Sequence, residues 1–299
     1  MEQKYLVFLT AARERSFSKA AETLFMTQPA VSQYISGLEK ELGAALLIRQ
    51  TKNIKLTKAG EILKDYVLEM KELHENMNRA IQSVLNEPRG ELRIGASYTF
   101  GEYILPHTIS DLLVKYPNVH PSITIGNTAE IADRVLANKL DIGVIEGQKV
   151  HKELSLEKLS NDEMYLIAGK NHPLAKKKTP IEMEDLANER WIVREKGSGT
   201  REAVDQCLSK HNLKPVDMME FGSTQIIKES VEAGLGITLL SKWAIRKEVD
   251  AGVLKIIDCE DTPVVRDFSI IKQWESGGSK TIEVFSEVLR GYFGGESTK

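Results

Sequence analysis

At 299 residues, with 41% hydrophobic and 28% charged residues, the chain is long enough to fill two ordinary cores. With 21 Gly and 9 Pro, a collagen-like repeat and wholesale disorder are both excluded. No run approaches the roughly 18 apolar residues needed to cross a bilayer, and Met1-Glu2-Gln3-Lys4 leads into no apolar secretory core, so a cytoplasmic protein without a membrane partner is expected. Cys207 and Cys259 give neither a bridge framework nor a zinc spacing; reduced thiols, no metal and no cofactor are expected.

The net charge of −3 hides an asymmetry. Residues 1–58 carry nine Lys and Arg against five Glu, a surplus of four, and the remainder is acidic. A basic head on an acidic body suits a head that meets a polyanion. Within it, Tyr5, Phe8, Leu9 and Ala12 recur at helical spacing, and Ser18 is placed to cap a second helix over Ala20, Ala21 and Leu24. Thr27 caps a third, with Gln28-Pro29 in its first turn, where proline loses no hydrogen bond. Val31, Ile35, Leu38 and Leu42 make its apolar stripe and Gly43 ends it.

Two short helices with a three- or four-residue break, the second with an amide-rich N-terminal turn, form a helix-turn-helix. Gln28, Ser32 and Gln33 suit base edges in a major groove, since Gln pairs bidentately with adenine and Ser bonds a base or a phosphate, and Ser18, Thr27 and Pro29 belong to the same expected DNA-binding set. From Arg49 to Thr57, with Ile54 and Leu56 alternating, a hairpin wing is predicted, and Arg49, Lys52 and Lys55 can reach phosphates. Thr57-Lys58-Ala59-Gly60 then opens a helix running to about Asn86. Leu63, Tyr66, Met70, Leu73, Met77, Ala80 and Val84 alternate steps of three and four, a seam of period 3.5. With no second long helix in the chain, that seam predicts a homodimer, whose two reading helices address an operator of two half-sites on double-stranded DNA.

From Glu91 the period changes. Leu92–Ala96, Ile123–Gly126, Ile142–Ile145, Tyr165–Ala168, Trp191–Val193, Met218–Phe221, Ile237–Leu240 and Ser269–Ile271 read as strands, several separated by helical stretches such as Ile104–Tyr116 and Ile131–Asn138. This is α/β with a mostly parallel sheet, and the strands are too many for one compact sheet. Two lobes are expected, crossed near 164–169 and 265–272, with a ligand cleft beyond the strand carboxyl ends. The predicted organisation is a winged helix-turn-helix over 1–58, a dimerising linker helix over 59–88 and an effector-binding domain over 89–299. Its lobe 1 takes about 89–164 and 266–299, and lobe 2 about 165–265.

Phe17-Ser18-Lys19-Ala20-Ala21-Glu22-Thr23-Leu24, Thr27-Gln28-Pro29-Ala30-Val31-Ser32-Gln33, Leu38 to Gly43 and Leu56 to Gly60 closely resemble the head of LysR-type transcriptional regulators. The likeness continues through Leu140 to Val144, His172-Pro173-Leu174 and Gly234 to Ile237. It implies a winged helix-turn-helix, a dimerising linker and a two-lobed, periplasmic-binding-protein-like effector domain, usually in tetramers, with RNA polymerase as a further partner. Ser97 to Pro106, Ile125 to Thr128 and Arg194 to Arg201 resemble the CysL branch, activators of sulfite reductase genes, and are also similar to CbbR-type carbon-fixation regulators. Leu47 stands where the family usually has Phe, and Lys52 where a second wing Arg is common; Lys offers a point charge in place of a planar fork.

Carried over by motif, the cleft is lined by Ser97, Thr99, Asn127, Thr128, Ser198, Gly199, Thr200, Arg201, Ser223 and Thr224. Thr200 and Arg201 open a helix after Gly197-Ser198-Gly199, so N–H groups, the positive helix end and a guanidinium are expected to converge on a small anionic effector. The alternative is that Gly-Ser-Gly-Thr merely turns and caps the helix. An activator in sulfur assimilation is expected, with a CbbR-like regulator of carbon metabolism and a redox-sensing regulator as alternatives.

An enzyme is the first rival. The chain has no phosphate-cradling G-x-x-x-x-G-K-[ST], no H-E-x-x-H, no G-x-S-x-G and no close pair among His74, His107, His120, His151, His172 and His211. Cys207 and His211, four apart, are better read as a packed thiol and its neighbour than as a nucleophile and base, so no catalytic residue is expected. An exported solute-binding protein, the second rival, does not fit a chain that opens on a DNA-reading head.

Overall fold

The apolar spacing of the first 56 residues folds into three helices and a hairpin: α1 (Gln3–Glu14), α2 (Phe17–Thr23), α3 (Gln28–Leu42), β1 (Leu47–Arg49) and β2 (Ile54–Leu56). The computed structural model describes residues 2–49, 54–84, 88–148, 150–177, 179, 181–274 and 279–294. It divides into two units, Met1–Gln82 and Ser83–Lys299, which are taken in turn.

In the first unit, Val7, Phe8, Ala11, Ala20, Ala21, Val31, Ile35 and Leu38 close one core with Leu46 and Ile54 of the wing. Leu42 departs from its predicted stripe: it is 47% exposed, in the last turn of α3 where the core has ended. Ser16, and not Ser18, caps α2, its hydroxyl accepting from Lys19 N–H at 3.4 Å. The helix starts two residues earlier than the sequence suggested, which puts Ser18 inside the first turn, exposed. Thr27 caps α3 as expected, accepting from Ala30 N–H at 3.4 Å, and Gly43 ends it at φ +67°.

The break between α2 and α3 closes through Met26 N–H to Ala21 C=O (2.9 Å) and Phe25 N–H to Glu22 C=O (3.2 Å). This is the six-to-one pattern whose left-handed position glycine usually takes; here Phe25 holds it at φ 53°. β1 and β2 pair antiparallel as the predicted wing, with Ile48 opposite Lys55. Glu39 of α3 accepts the N–H groups of Leu46 and Leu47 at 2.8 and 3.2 Å, which fastens the wing to the reading helix. Lys52 lies outside the described residues, as do the side chains of Arg49, Ala80 and Val84.

The linker α4 (Lys58–Val84) has 27 residues. Leu63 leaves the seam to pack against the head core and Val67 is buried. Tyr66, Met70, Leu73 and Met77 stay 42–69% exposed on this chain, an apolar row at steps of four, three and four.

The second unit holds β3 (Gly90–Ser97), α5 (Tyr98–Tyr103), α6 (Leu105–Lys115), β4 (Val119–Gly126), α7 (Thr128–Leu136), β5 (Ile142–Glu146), β6 (Leu154–Gly169) and β7 (Arg190–Arg194). α8 (Gly199–Lys210), β8 (Asp217–Phe221), α9 (Thr224–Glu232), β9 (Ile237–Ser241), α10 (Lys242–Asp250), β10 (Leu254–Ile256), β11 (Val264–Gln273) and α11 (Lys280–Gly294) follow. Each predicted strand is found, but they form a single hydrogen-bonded sheet, β4-β3-β5-β11-β6-β9-β7-β8, with β10 on β6. It is mixed, not mostly parallel. β3 pairs parallel with β4 and β5, and β7 with β8 and β9, whereas β6 and β11 pair antiparallel with each other.

The cause is the length of β6 and β11, of 16 and 10 residues, which cross from one lobe to the other and join what would otherwise be two sheets. Lobe 1 packs Leu92, Ile94, Phe100 and Val144 against Phe268 of β11 and Phe285 of α11. Lobe 2 has its own core around Trp191, Val204, Leu208 and Leu239. The strands of both lobes direct their carboxyl ends, and the helix starts that follow them, at the crossing.

Candidate functional site

On α3 the buried residues Val31, Ile35 and Leu38 fix which face remains outward. Gln28, Pro29, Gln33 and Ser36 are exposed and Ser32 is half-buried, an arc of about 140° at 100° per residue. Thr27 at its N-cap and Lys55 on the adjoining wing are exposed as well. The sequence-nominated DNA residues that are described thus share the outer side of one motif, with Ser18 exposed on α2.

In the second unit the nominated hydroxyls meet a carboxylate that sequence reasoning did not nominate. Glu146 closes β5 and is 1% exposed. It accepts Thr99 N–H at 2.7 Å, Thr200 Oγ1 at 3.0 Å and the Arg266 guanidinium at 2.5 Å. Arg266, on β11, also donates to Asp162 of β6 at 2.8 Å and to Thr99 Oγ1 at 3.1 Å; Ser241 completes Asp162 at 2.6 Å. Thr128 Oγ1 donates to the Glu146 carbonyl at 3.0 Å. Gly199 lies against the same residue, and a Cβ there would meet Glu146 O at 2.3 Å, so only glycine lets α8 approach.

Burial pushes the Glu146 carboxyl up, but Arg266 and the Thr99 and Thr200 donors outweigh it and hold it below its ordinary value. For Asp162, burial dominates over its share of Arg266, and with Glu146 nearby its carboxyl is raised.

A second cluster surrounds Arg194, which ends β7 and is 1% exposed. Its Nε and Nη2 fork onto Glu195 at 2.7 Å each, Nη1 donates to Thr224 Oγ1 at 3.2 Å, and its carbon centre lies 4.3 Å over the Tyr98 ring. Asn127 caps α7 by accepting from Glu130 N–H at 2.9 Å, and its amide donates to Glu195 at 3.3 Å. Ser198 caps α8, accepting from Thr200 N–H at 3.2 Å. Ser97 Oγ is buried without a hydrogen-bond partner, and Ser223 precedes α9 without a side-chain cap bond.

Arg201 lines a hollow with Thr128 and Ser198, but its guanidinium is engaged within its own lobe. Its guanidinium turns to Asp205 (2.9 Å), Glu220 (2.8 Å) and the Arg194 carbonyl (2.9 Å), because four residues along a helix bring Asp205 onto its own face. Arg194 and Arg266 are the buried guanidiniums at the crossing. Their signal in the sequence was a charge set at the end of, or inside, an apolar β run, as also for Glu146; Asp162, within Ser160-Asn161-Asp162-Glu163, carried none.

Cys207 and Cys259 are buried. Burial pushes the Cys207 thiol up and the Cys259 thiol to about 11, so neither favours thiolate. His211 turns to Asp261, 3.3 Å away. Among the described residues no cluster of His, Cys, Asp and Glu suits a metal, and no helix is long and apolar enough to cross a membrane.

Residues 3–61 match the family model described as bacterial regulatory helix-turn-helix protein, lysR family, and residues 85–294 match the LysR substrate binding domain. The chain is 39% identical to the HTH-type transcriptional regulator CysL of Bacillus subtilis, over 95% of this chain and 94% of that protein. It is 33% identical to the probable RuBisCO transcriptional regulator of Trieres chinensis, over 96% and 95%. Among solved structures it is similar to the Synechocystis CcmR regulatory domain in complex with 2-PG, with a TM-score of 0.62 and 28% identity, covering 68% of this chain and 97% of that one. Two matched models spanning head and body, together with regulators related along nearly their whole length, place this chain in the LysR family of bacterial transcriptional regulators.

Proposed function

We propose that the protein is a cytoplasmic transcriptional activator that binds an operator of two half-sites as a homodimer or homotetramer and answers to a small anionic metabolite in the interlobe cleft. The observation that carries the DNA reading is the outward arc of Gln28, Pro29, Ser32 and Gln33 beside Lys55 on one rigid motif. Gln28 and Gln33 read base edges; Thr27, Arg49, Lys52 and Lys55 hold phosphates.

The exposed row Tyr66, Met70, Leu73 and Met77 supports pairing through α4 with a second copy. Exposed Ile123 and Ile125 on the edge strand β4, and Met218 on the opposite edge strand β8, supply apolar surface for a further copy, as a tetramer requires. RNA polymerase is the partner an activator needs.

The buried Arg194 guanidinium, whose carboxylate partner is part-exposed, supports an anionic effector, bound at the ends of strands from both lobes. Such an effector acts only through unequal affinity for two arrangements of the lobes. The likeness to CysL favours control of sulfite reductase genes in sulfur assimilation. The likeness to RuBisCO regulators, and to a regulatory domain that holds 2-PG, favours the second reading, control of carbon metabolism. Genome-wide mapping of occupied promoters separates the two: sulfur-assimilation promoters uphold the first reading and carbon-fixation promoters the second. Salt-independent retention on duplex DNA, or none, would remove the DNA-reading assignment.

A further inference from the structure

Both buried guanidiniums of the cleft already have carboxylates, but the two arrangements differ in what can leave. Arg266 is held by Glu146 and Asp162, which are 1% and 0% exposed. Withdrawing either acid would leave a buried charge uncompensated, so that cluster is a fixed part of the crossing.

Arg194 is different. Its entire fork is taken by the next residue in the chain, Glu195, whose side chain is 25% exposed. The other side-chain bond to that carboxylate comes from the Asn127 amide, at 3.3 Å. Glu195 stands two residues before Gly197, whose φ of +89° marks a turn and not a regular element. Its carboxylate reaches water by a side-chain rotation, provided another anion takes over the guanidinium.

The groups that hold it make a general receptor for a planar or tetrahedral oxyanion. Arg194 offers two parallel donors, fixed by stacking on Tyr98 and by its bond to the Thr224 hydroxyl, and Asn127 adds an amide.

We propose that Glu195 is a built-in stand-in for the effector: its carboxylate occupies the Arg194 fork in the free protein, and the carboxylate or phosphate of the effector displaces it. This rests on the anionic-effector reading above and names the residue against which the effector competes. The exchange is close to neutral in charge, so the guanidinium is paired before and after and no buried cation is exposed.

The exchange also carries a signal. Asn127 begins α7 in lobe 1 and Glu195 follows β7 in lobe 2, so their bond ties the lobes in the free protein, beside the Ala129 N–H to Gly197 C=O bond at 3.1 Å. Displacing Glu195 replaces the Asn127–Glu195 tie with one that runs through the ligand. This gives the ligand the unequal interaction with two lobe arrangements that a switch requires.

The test is calorimetric titration of the full-length protein with inorganic phosphate and with sulfate, for the wild type, Glu195→Gln, Arg194→Gln and Thr224→Val. Glu195→Gln keeps the size and the acceptor for Asn127 but removes the competing charge. It should bind at least one probe about tenfold or more tighter than the wild type. Arg194→Gln should lose that binding, and Thr224→Val should weaken it severalfold.

Equal affinity in the wild type and Glu195→Gln, with binding lost in Arg194→Gln, overturns the competition while leaving the anion site in place. No binding to Glu195→Gln at millimolar probe overturns the competition and the anionic-effector reading together. Glu195→Gln is a surface-reaching change, so the comparison does not depend on whether Arg194→Gln folds; circular dichroism checks the latter.

Discussion

Replacing Arg266 by Met tests the account of the lobe crossing most severely. The change keeps an unbranched side chain but removes the guanidinium shared by Glu146 and Asp162, whose carboxylates are then buried without a counter-charge. Breaking a buried pair from one side costs about 3–5 kcal/mol, which lowers the melting temperature of a unit this size by roughly 6–20 °C. The sign of its pH dependence follows from the two acids. In the wild type, Glu146 is held below its ordinary value, so its contribution is present above the unfolded carboxylate range and lost as pH falls through the folded value, while Asp162, held above its own, opposes it by losing stability as pH rises. Without Arg266, burial is left as the dominant influence on both acids and raises both. The variant therefore loses stability as pH rises from the unfolded value of about 4 towards the raised folded values. The gap between wild type and variant should be widest near pH 7 to 8 and narrow towards pH 5. Calorimetric unfolding of the full chain, following the transition of the second unit, measures both. A loss under about 1 kcal/mol, or a gap independent of pH, would refute the claim that this guanidinium compensates two buried charges.

Three further outcomes are expected. Gly199→Ala should destabilise the second unit by about 1–3 kcal/mol in chemical denaturation, because its Cβ would sit 2.3 Å from Glu146 O and 2.6 Å from Glu146 Cβ. Phe25→Gly should raise the stability of the first unit by about 1 kcal/mol, since it frees the left-handed position at φ 53° and removes a side chain that is 98% exposed; unchanged or lower stability would mean that Phe25 is held by something the chain itself does not supply. Lys55→Ala should weaken binding to all duplex sequences alike and lower the slope of log affinity against log salt by about 1, in a titration by fluorescence anisotropy, whereas Gln28→Ala should lose about 1–3 kcal/mol of discrimination at one base position.

Legibility in the sequence follows the periodicity of each segment. Head, wing and sheet strands could be read because their apolar residues repeat at 3.6 or 2, and caps such as Thr27 and Gly43 stand where the repeat starts or stops. Ser18 was misplaced by two residues because Ser16 and Ser18 flank Phe17 and either hydroxyl can cap; Phe17, packed against the head core, decides in favour of Ser16. The single mixed sheet was not legible. Whether β6 and β11 are two short strands or one long crossing strand depends on pairing partners more than a hundred residues apart, such as Arg266 with Asp162, which no local pattern encodes.

The candidate cleft shows the same division in chemistry. Its small polar residues announced themselves after strand ends and before helix starts, and the structure brings Thr99, Thr128 and Thr200 within hydrogen-bond reach of Glu146. What the sequence withheld was which partners hold the cations. Arg201 lines the hollow with Thr128 and Ser198 while Asp205, one turn along the helix, and Glu220 hold its guanidinium. Arg194 and Arg266, set beside apolar strand residues and buried, must be paired within the free protein. A charged residue at the end of a buried strand is therefore a demand for a partner, and the location of that partner separates the two arginines: for Arg266 it is sealed in the crossing, and for Arg194 it is the part-exposed next residue. A cleft that must stay folded when empty and still accept an anion needs both arrangements, since a guanidinium with no internal acid would be unpaired in the free protein and one with only buried acids would have nothing to exchange.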